Sequence, residues 1–199
     1  ISMAAELANT AAGGVVGKGG TAVVWPMEIL AAIHEQELMS GEAKVVTLKL
    51  ALDRIAVWRR QGLKVGFTNG CFDLLHPGHI SLFEQSREVC DRLIVGLNSD
   101  ESVKRLKGAD RPIQTESSRA SVLASLAAVD LVIVFAEDTP LTLIQELKPE
   151  VLVKGADYQI DDVVGASEVH TWGGSVLLTE LAQGYSTSKV VDKLSSKVE

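Results

Sequence analysis

Apolar and polar positions along this chain follow two regimes, and the change falls at Lys64. Before it the spacing is helical. Thr47–Gly62 places Leu48, Leu52, Ile55 and Arg59 at helical intervals, and Gly62 stands where a helix-ending glycine belongs. Further upstream, Ala5–Ala12 reads as helix and Gly13–Gly20 as small, flexible or tightly packed backbone. Pro26 suits a first helical turn and opens a predicted helix over Met27–Leu38. Ser40-Gly41-Glu42 is a candidate linker.

After Lys64, short apolar runs alternate with helical stretches. Val65–Thr68, Arg92–Leu97, Leu131–Phe135, Val151–Val153 and Ser175–Leu178 are predicted strands. His79–Cys90, Ser117–Ala128, Leu141–Leu147 and Ser188–Leu194 are predicted helices, with Val122, Leu123 and Leu126 on one side of the second. The unbroken apolar run of Arg92–Leu97 predicts a strand buried on both faces. Strand–helix alternation at this spacing implies an α/β fold, a Rossmann-like parallel sheet flanked by helices. Ligands in such sheets sit at the carboxyl ends of the strands.

Composition changes the picture little: 46% apolar and 23% charged residues suit a globular domain. Charge is more informative. A net charge of −7 argues against non-specific binding to nucleic acid or an anionic membrane, so an anionic ligand needs a locally positive pocket. Cys71 and Cys90 make no disulfide framework. Neither a long apolar span nor a leader-like basic-then-apolar segment is seen, and the expected location is the cytoplasm.

The candidate chemistry follows the first strand, in Thr68-Asn69-Gly70-Cys71-Phe72-Asp73-Leu74-Leu75-His76-Pro77-Gly78-His79. Gly70 allows close approach of backbone to a ligand. Pro77 and Gly78 suit a helix entrance, which sets His76 and His79 around its first turn. A helix start offers free N–H groups and the positive end of the dipole. Two imidazoles there can donate to phosphate oxygens, an arrangement suited to a phosphorus centre that gains charge during transfer. The spacing of Cys71, His76, His79 and Cys90 does not offer a closed zinc site, and no P-loop is present.

Residues 64–195 resemble the adenylyltransferase domain of the bacterial heptose enzymes, in the cytidylyltransferase-like superfamily marked by H-x-G-H. The resemblance rests on Phe67–His79 together with Asn98-Ser99-Asp100, Arg105-Leu106-Lys107-Gly108, Arg111-Pro112, Glu137-Asp138-Thr139-Pro140, Val153–Tyr158 and Ser186-Thr187-Ser188. It implies a nucleotidyltransferase of the HIGH-type fold that moves AMP from ATP to D-glycero-β-D-manno-heptose 1-phosphate. ADP-heptose for lipopolysaccharide core and pyrophosphate would be the products. It further implies Mg²⁺ held mainly by the triphosphate, no dedicated protein metal ligands, and a homodimer.

Residue by residue, the resemblance makes His76 and His79 the catalytic pair, with Lys107 reaching the phosphates from a mobile loop. Thr68, Asn69, Cys71 and Phe72 would contact the nucleotide and phosphates largely through backbone, with Gly70 and Gly78 beside them, and Asp73 would belong to the nucleotide site by orienting the loop or assisting the metal. Arg119, Ser186, Thr187 and Ser188 would complete that site, and Lys154 and Asp157 would take the sugar phosphate or ribose. Plainer readings stand beside these. Lys107 would lie in a solvated loop, Arg119 on the surface of an amphipathic helix, Asp73 would be a structural acceptor, and Ser186–Ser188 only a cap. Two rival functions are a cytidylyltransferase acting on glycerol 3-phosphate or a similar polyol phosphate, and a non-catalytic nucleotide-binding module.

Residues 1–38 resemble the C-terminal stretch of a ribokinase-type sugar kinase, without that family's main sheet or anion-hole motif, so no kinase activity is expected. Residues 39–63 then form a linker and lead-in helix, and 64–199 the nucleotidyltransferase domain.

Overall fold

The computed structural model describes residues 44–155 and 159–180, with Ala8, Ala12 and Val23 as isolated positions. Chain contacts divide the protein into Ile1–Lys44 and Val45–Glu199. The helix expected over Met27–Leu38, the linker at residues 40–42, most of the helix over Ala5–Ala12 and the final helix at 188–194 lie outside the described residues.

The second unit opens with α1 (Leu48–Arg60), which Thr47 caps by accepting from the Leu50 N–H. Its inward face is Ala51, Arg54, Ile55 and Trp58, so the buried stripe is offset from the Leu48/Leu52 line read from spacing. Gly62 ends the turn at φ +76°, a conformation that costs glycine nothing.

Five parallel strands follow in the order β3-β2-β1-β4-β5. They are β1 (Val65–Gly70), β2 (Arg92–Asn98), β3 (Leu131–Phe135), β4 (Val151–Gly155) and β5 (Ser175–Thr179). The connecting helices are α2 (Pro77–Val89), α3 (Asp100–Lys107), α4 (Glu116–Ser125), α5 (Leu141–Leu147) and α6 (Ala166–Thr171). The parallel α/β architecture expected from the alternation is therefore present.

Burial explains the strand patterns. On β2, Leu93, Val95 and Leu97 join Phe72, Phe83, Ala120, Leu123 and Ala124 in the core layer under α2 and α4. Ile94, equally buried, alternates to the opposite face. There Gly96 makes room: an added Cβ would stand 2.8 Å from the Phe67 ring and 3.1 Å from Asn69 Cβ. On α4 the inward residues are Arg119, Ala120, Leu123 and Ala124. Val122, expected on the inner side with Leu123, is 44% exposed, and the helix ends at Ser125 instead of continuing to Ala128.

Two helices were not expected from spacing. In α3 only Val103 and Leu106 are large and apolar, yet the helix is fixed at its ends. Ser99 accepts from the Ser102 N–H, acidic residues fill the first turn, basic ones the last, and Gly108 closes it at φ +103°. The short α6 follows Gly165, whose left-handed conformation and contact with Ile144 leave no space for a side chain.

The strand order locates the site. The chain runs β1 to β2 to β3 in one direction, then returns to place β4 on the other side of β1. The crevice beyond the carboxyl ends of β1 and β4 is thus the topological switch point, where ligands bind in open α/β sheets.

Candidate active site

β1 delivers the chain to this crevice and α2 leads it away. Between them, Phe72 adopts a left-handed φ of 42°, uncommon for a bulky residue. Its ring is buried, lies 5.4 Å from Phe83 and meets the His79 ring edge-on at 5.1 Å. Gly70 serves this turn: a Cβ there would stand 3.2 Å from the Phe72 ring. The glycine read from sequence as room for a ligand also makes room for a phenylalanine.

His76 is the N-cap of α2 in extended conformation, and Pro77 begins the helix. No side chain caps the first turn, so its positive end stays open to an anion. One turn brings the imidazoles of His76 and His79 together, stacked with centroids 3.8 Å apart and planes 18° from parallel. Burial lowers the pKa of His79 to about 4, with the neighbouring His76 adding to the effect. Burial lowers that of His76 as well. Both rings are neutral at pH 7, and each carries one N–H donor. The Nδ1 atom of His79 is buried and has no hydrogen-bond partner among the described residues. A bound polyphosphate would favour protonation of such rings, because an adjacent anion stabilises the charged form.

Around the pair, the expected residues fall into three groups. Asn69, Cys71, Gly78 and Lys154 sit at the carboxyl edge of β1 and β4 or the start of α2. Lys154 is buried, and its ammonium donates to Asn69 Oδ1 at 2.5 Å, so the two residues flank the switch point. Cys71 is a free thiol whose pKa burial pushes up, against the opposing charges of Lys107 and Arg119. It is a poor nucleophile.

A second group is turned inward. Thr68 is 1% exposed and its hydroxyl is buried without a partner among the described residues. Asp73 accepts from the backbone of Ile113 (2.8 Å) and Gln114 (3.1 Å) and from Arg111 Nε (2.6 Å). Burial alone would raise its pKa, but the N–H groups of Gln114 and Ile113 and the Arg111 guanidinium outweigh that and hold the carboxyl low. Arg119 is not on the surface of an amphipathic helix. Its side chain is wholly buried and donates to the carbonyls of Gln114, Cys71 and Asn98 and to Asp100 Oδ1. It is therefore held by protein acceptors instead of presenting its guanidinium to a ligand.

Lys107 forms the third case. It belongs to the last turn of α3 and not to a loop. Arg105 anchors that turn to Asp138 at 2.7 Å and to the Ala136 carbonyl. Asp157, Ser186, Thr187 and Ser188 lie outside the described residues. Among the described residues no group of three His, Cys, Asp or Glu side chains gathers as a metal cluster.

The site thus combines an uncapped helix start, two stacked imidazoles and a buried lysine at the switch point of a parallel sheet. The profile of the cytidylyltransferase-like family matches residues 67–193, which encloses all of it. The chain belongs to that family. Similar sequences include the bifunctional protein HldE of Paramagnetospirillum magneticum, 60% identical over 96% of this chain and 39% of its own length. HldE of Rhodospirillum rubrum is 57% identical over 98% of this chain and 39% of its own. The chain spans about 40% of the length of these curated relatives. Among solved structures, the lipopolysaccharide core biosynthesis protein from Thermoplasma volcanium aligns with a TM-score of 0.52 and 27% identity, over 62% of this chain and all of that one. Pantoate-beta-alanine ligase from Francisella tularensis shares the fold, with a TM-score of 0.53 at 18% identity over 72% of this chain and 68% of that one.

Three residues named only as part of the resemblance receive a role from the structure: the carbonyl of Asn98, the carboxylate of Asp100, and Arg111 as the partner of Asp73. Ser99 followed by two acidic residues was the legible signal for the first two, because it marks a helix start at the end of β2.

Proposed function

We propose that this chain catalyses adenylyl transfer from ATP to D-glycero-β-D-manno-heptose 1-phosphate, giving ADP-heptose and pyrophosphate for lipopolysaccharide core. The observation that carries the reaction class is the stacked His76–His79 pair at the uncapped start of α2. The sugar is supported by relatives named bifunctional protein HldE at 60% and 57% identity and by the likeness to a lipopolysaccharide core biosynthesis protein.

An oxygen of the sugar phosphate attacks the α-phosphorus of ATP as the bond to the bridging α,β-oxygen breaks, and pyrophosphate leaves with that electron pair. The attacking phosphate is already anionic and needs no strong base. The protein's task is then to position the two substrates and to stabilise charge. His76 and His79 donate to oxygens whose charge grows, and the start of α2, with Gly78, adds its positive end. Lys107 neutralises the outer phosphates from the end of α3. Lys154, set by Asn69, takes the sugar phosphate or ribose, and the backbone of Cys71 and Phe72 lines the phosphate path. Mg²⁺ enters with ATP as part of the substrate; Asp73, already bonded to Arg111, Ile113 and Gln114, is not its ligand. Asp157 and Ser186–Ser188 keep their assigned parts in substrate and phosphate binding on the strength of the family resemblance. A cytoplasmic homodimer belongs to the same reading.

Residues 1–38 are read as the end of a ribokinase-type domain. The HldE match over 96% of the chain extends into this segment, which supports that reading. Pyrophosphate release, measured for ATP and CTP against heptose 1-phosphate and glycerol 3-phosphate, tests the proposal. Release only with ATP and heptose 1-phosphate is expected, and release only with CTP would overturn it.

A further inference from the structure

Arg119 sits in an unusual position for a charged side chain. Its side-chain exposure is 0%, and among the described residues Asp100 is the carboxylate bonded to it, at 2.7 Å. A buried guanidinium is costly unless its donors are satisfied. Here Nε donates to Gln114 O at 3.0 Å, and one terminal nitrogen donates to Cys71 O at 2.6 Å and Asn98 O at 2.8 Å. These acceptors come from four pieces of chain: the turn after β1, the end of β2, the start of α3 and the segment entering α4. All four lie at the carboxyl edge of the sheet.

Asp73 grips the same segment from the other side. It accepts from the N–H of Ile113 and Gln114, so the Gln114 peptide pair is held through its N–H by Asp73 and through its carbonyl by Arg119. Glu116 completes the frame by accepting from the Asp100 N–H at 2.9 Å. The 111–114 segment, whose Ile113 side chain is 53% exposed, is thereby fixed to the turn that leads into His76 and His79.

We propose that Arg119 is a positioning residue for nucleotidyl transfer: it locks the Cys71 turn to the end of β2 and, with Asp73, makes residues 111–114 a fixed rim of the nucleotide site. The proposal rests on the adenylyl-transfer reading. Lysine cannot replace it, because its three donors radiate from one point while these acceptors surround a planar fork.

A matched control exists at the other end of the sheet. Arg59 also ties two carbonyls, of Leu147 and Lys148, to a carboxylate, Glu150, but far from the histidines. Arg119→Lys and Arg59→Lys in the full chain separate a positioning role from mere support. Both are expected to lower Tm by a few degrees. Only Arg119→Lys lowers kcat, by about 10- to 100-fold, because a small misplacement of reacting groups is enough. KM for ATP stays within about threefold, as expected for loss of geometry and not of ground-state binding. The amides of Ile113 and Gln114 exchange hydrogen at least about tenfold faster in Arg119→Lys, while those of Ile94 and Val95 do not. An unchanged kcat, or a raised KM for ATP at constant kcat, would overturn the proposal. If Arg119→Lys does not fold, Asp73→Asn loosens the same rim from the opposite side and is read by the same measurements. Absence of pyrophosphate release in the unmodified protein would defeat the functional reading, and the Ile113 and Gln114 exchange would still test the rim.

Discussion

The two edges of the sheet are built differently. At the amino edge the entrances of β1 and β2 are stitched by carboxylates. Glu150 accepts from Val65 N–H and Arg59, Asp91 from Lys64 N–H, and Asp130 from Leu93 N–H and Arg87. Charges there are matched and partly exposed, and their work is to hold strands in register. At the carboxyl edge the carboxylates turn inward to bind protein, while the imidazoles of His76 and His79 stack over an uncapped helix. That edge keeps donors and a positive dipole end available. Ion pairs brace both edges; what sets the carboxyl edge apart is the pair of stacked imidazoles over an uncapped helix start.

The largest expected effect breaks the carboxyl edge. Replacing His79 with alanine should lower kcat by about 10²- to 10³-fold, as for loss of one donor to a developing oxyanion. Thermal unfolding of the same variant should shift only by the lost ring contacts with Phe72 and His76, about 1–2 kcal/mol, since no hydrogen bond of Nδ1 is given up. Steady-state rates and a melting curve on one preparation check both halves.

Gly96→Ala probes the layer between the edges. Its Cβ would meet Phe67 and Asn69, costing about 1–3 kcal/mol of stability by overpacking. It should also lower the affinity for the sugar phosphate, since Asn69 sets Lys154. Denaturant unfolding and KM for the acceptor measure these.

At the amino edge, Glu150→Gln should cost about 1 kcal/mol, the range of a half-exposed ion pair, and leave kcat unchanged. A kcat that fell with it would erase the distinction between the two edges.

A further test concerns pH. The pKa of His79 is lowered from 6.5 to about 4 in the folded protein, so between these values the unfolded chain binds more protons. Stability is full above about pH 6.5 and declines as pH falls toward 4. His79→Ala should flatten that decline in a series of melting curves across the window.

Much of this was legible in the sequence because it is local. The bounds of β3 and α5 follow from apolar runs bracketed by turn residues, and His76-Pro77-Gly78-His79 announces a helix start with two imidazoles. What escaped reading is long-range. Arg119 has the sequence surroundings of an exposed helical residue; its acceptors are 48, 21, 19 and 5 positions away and meet only once the sheet forms. The reason for Gly70 likewise depends on where the Phe72 ring folds back. α3 escaped because its stability lies in its caps and end charges and not in an apolar stripe.

Which phosphorus is transferred is the central question, and isotope placement answers it directly. The chain incubated with heptose 1-phosphate and ATP labelled at either the α- or the γ-phosphate should place the α label in the sugar product and the γ label in pyrophosphate. A γ label found in the sugar, or no label transferred from either position, would contradict adenylyl transfer at the His76–His79 site.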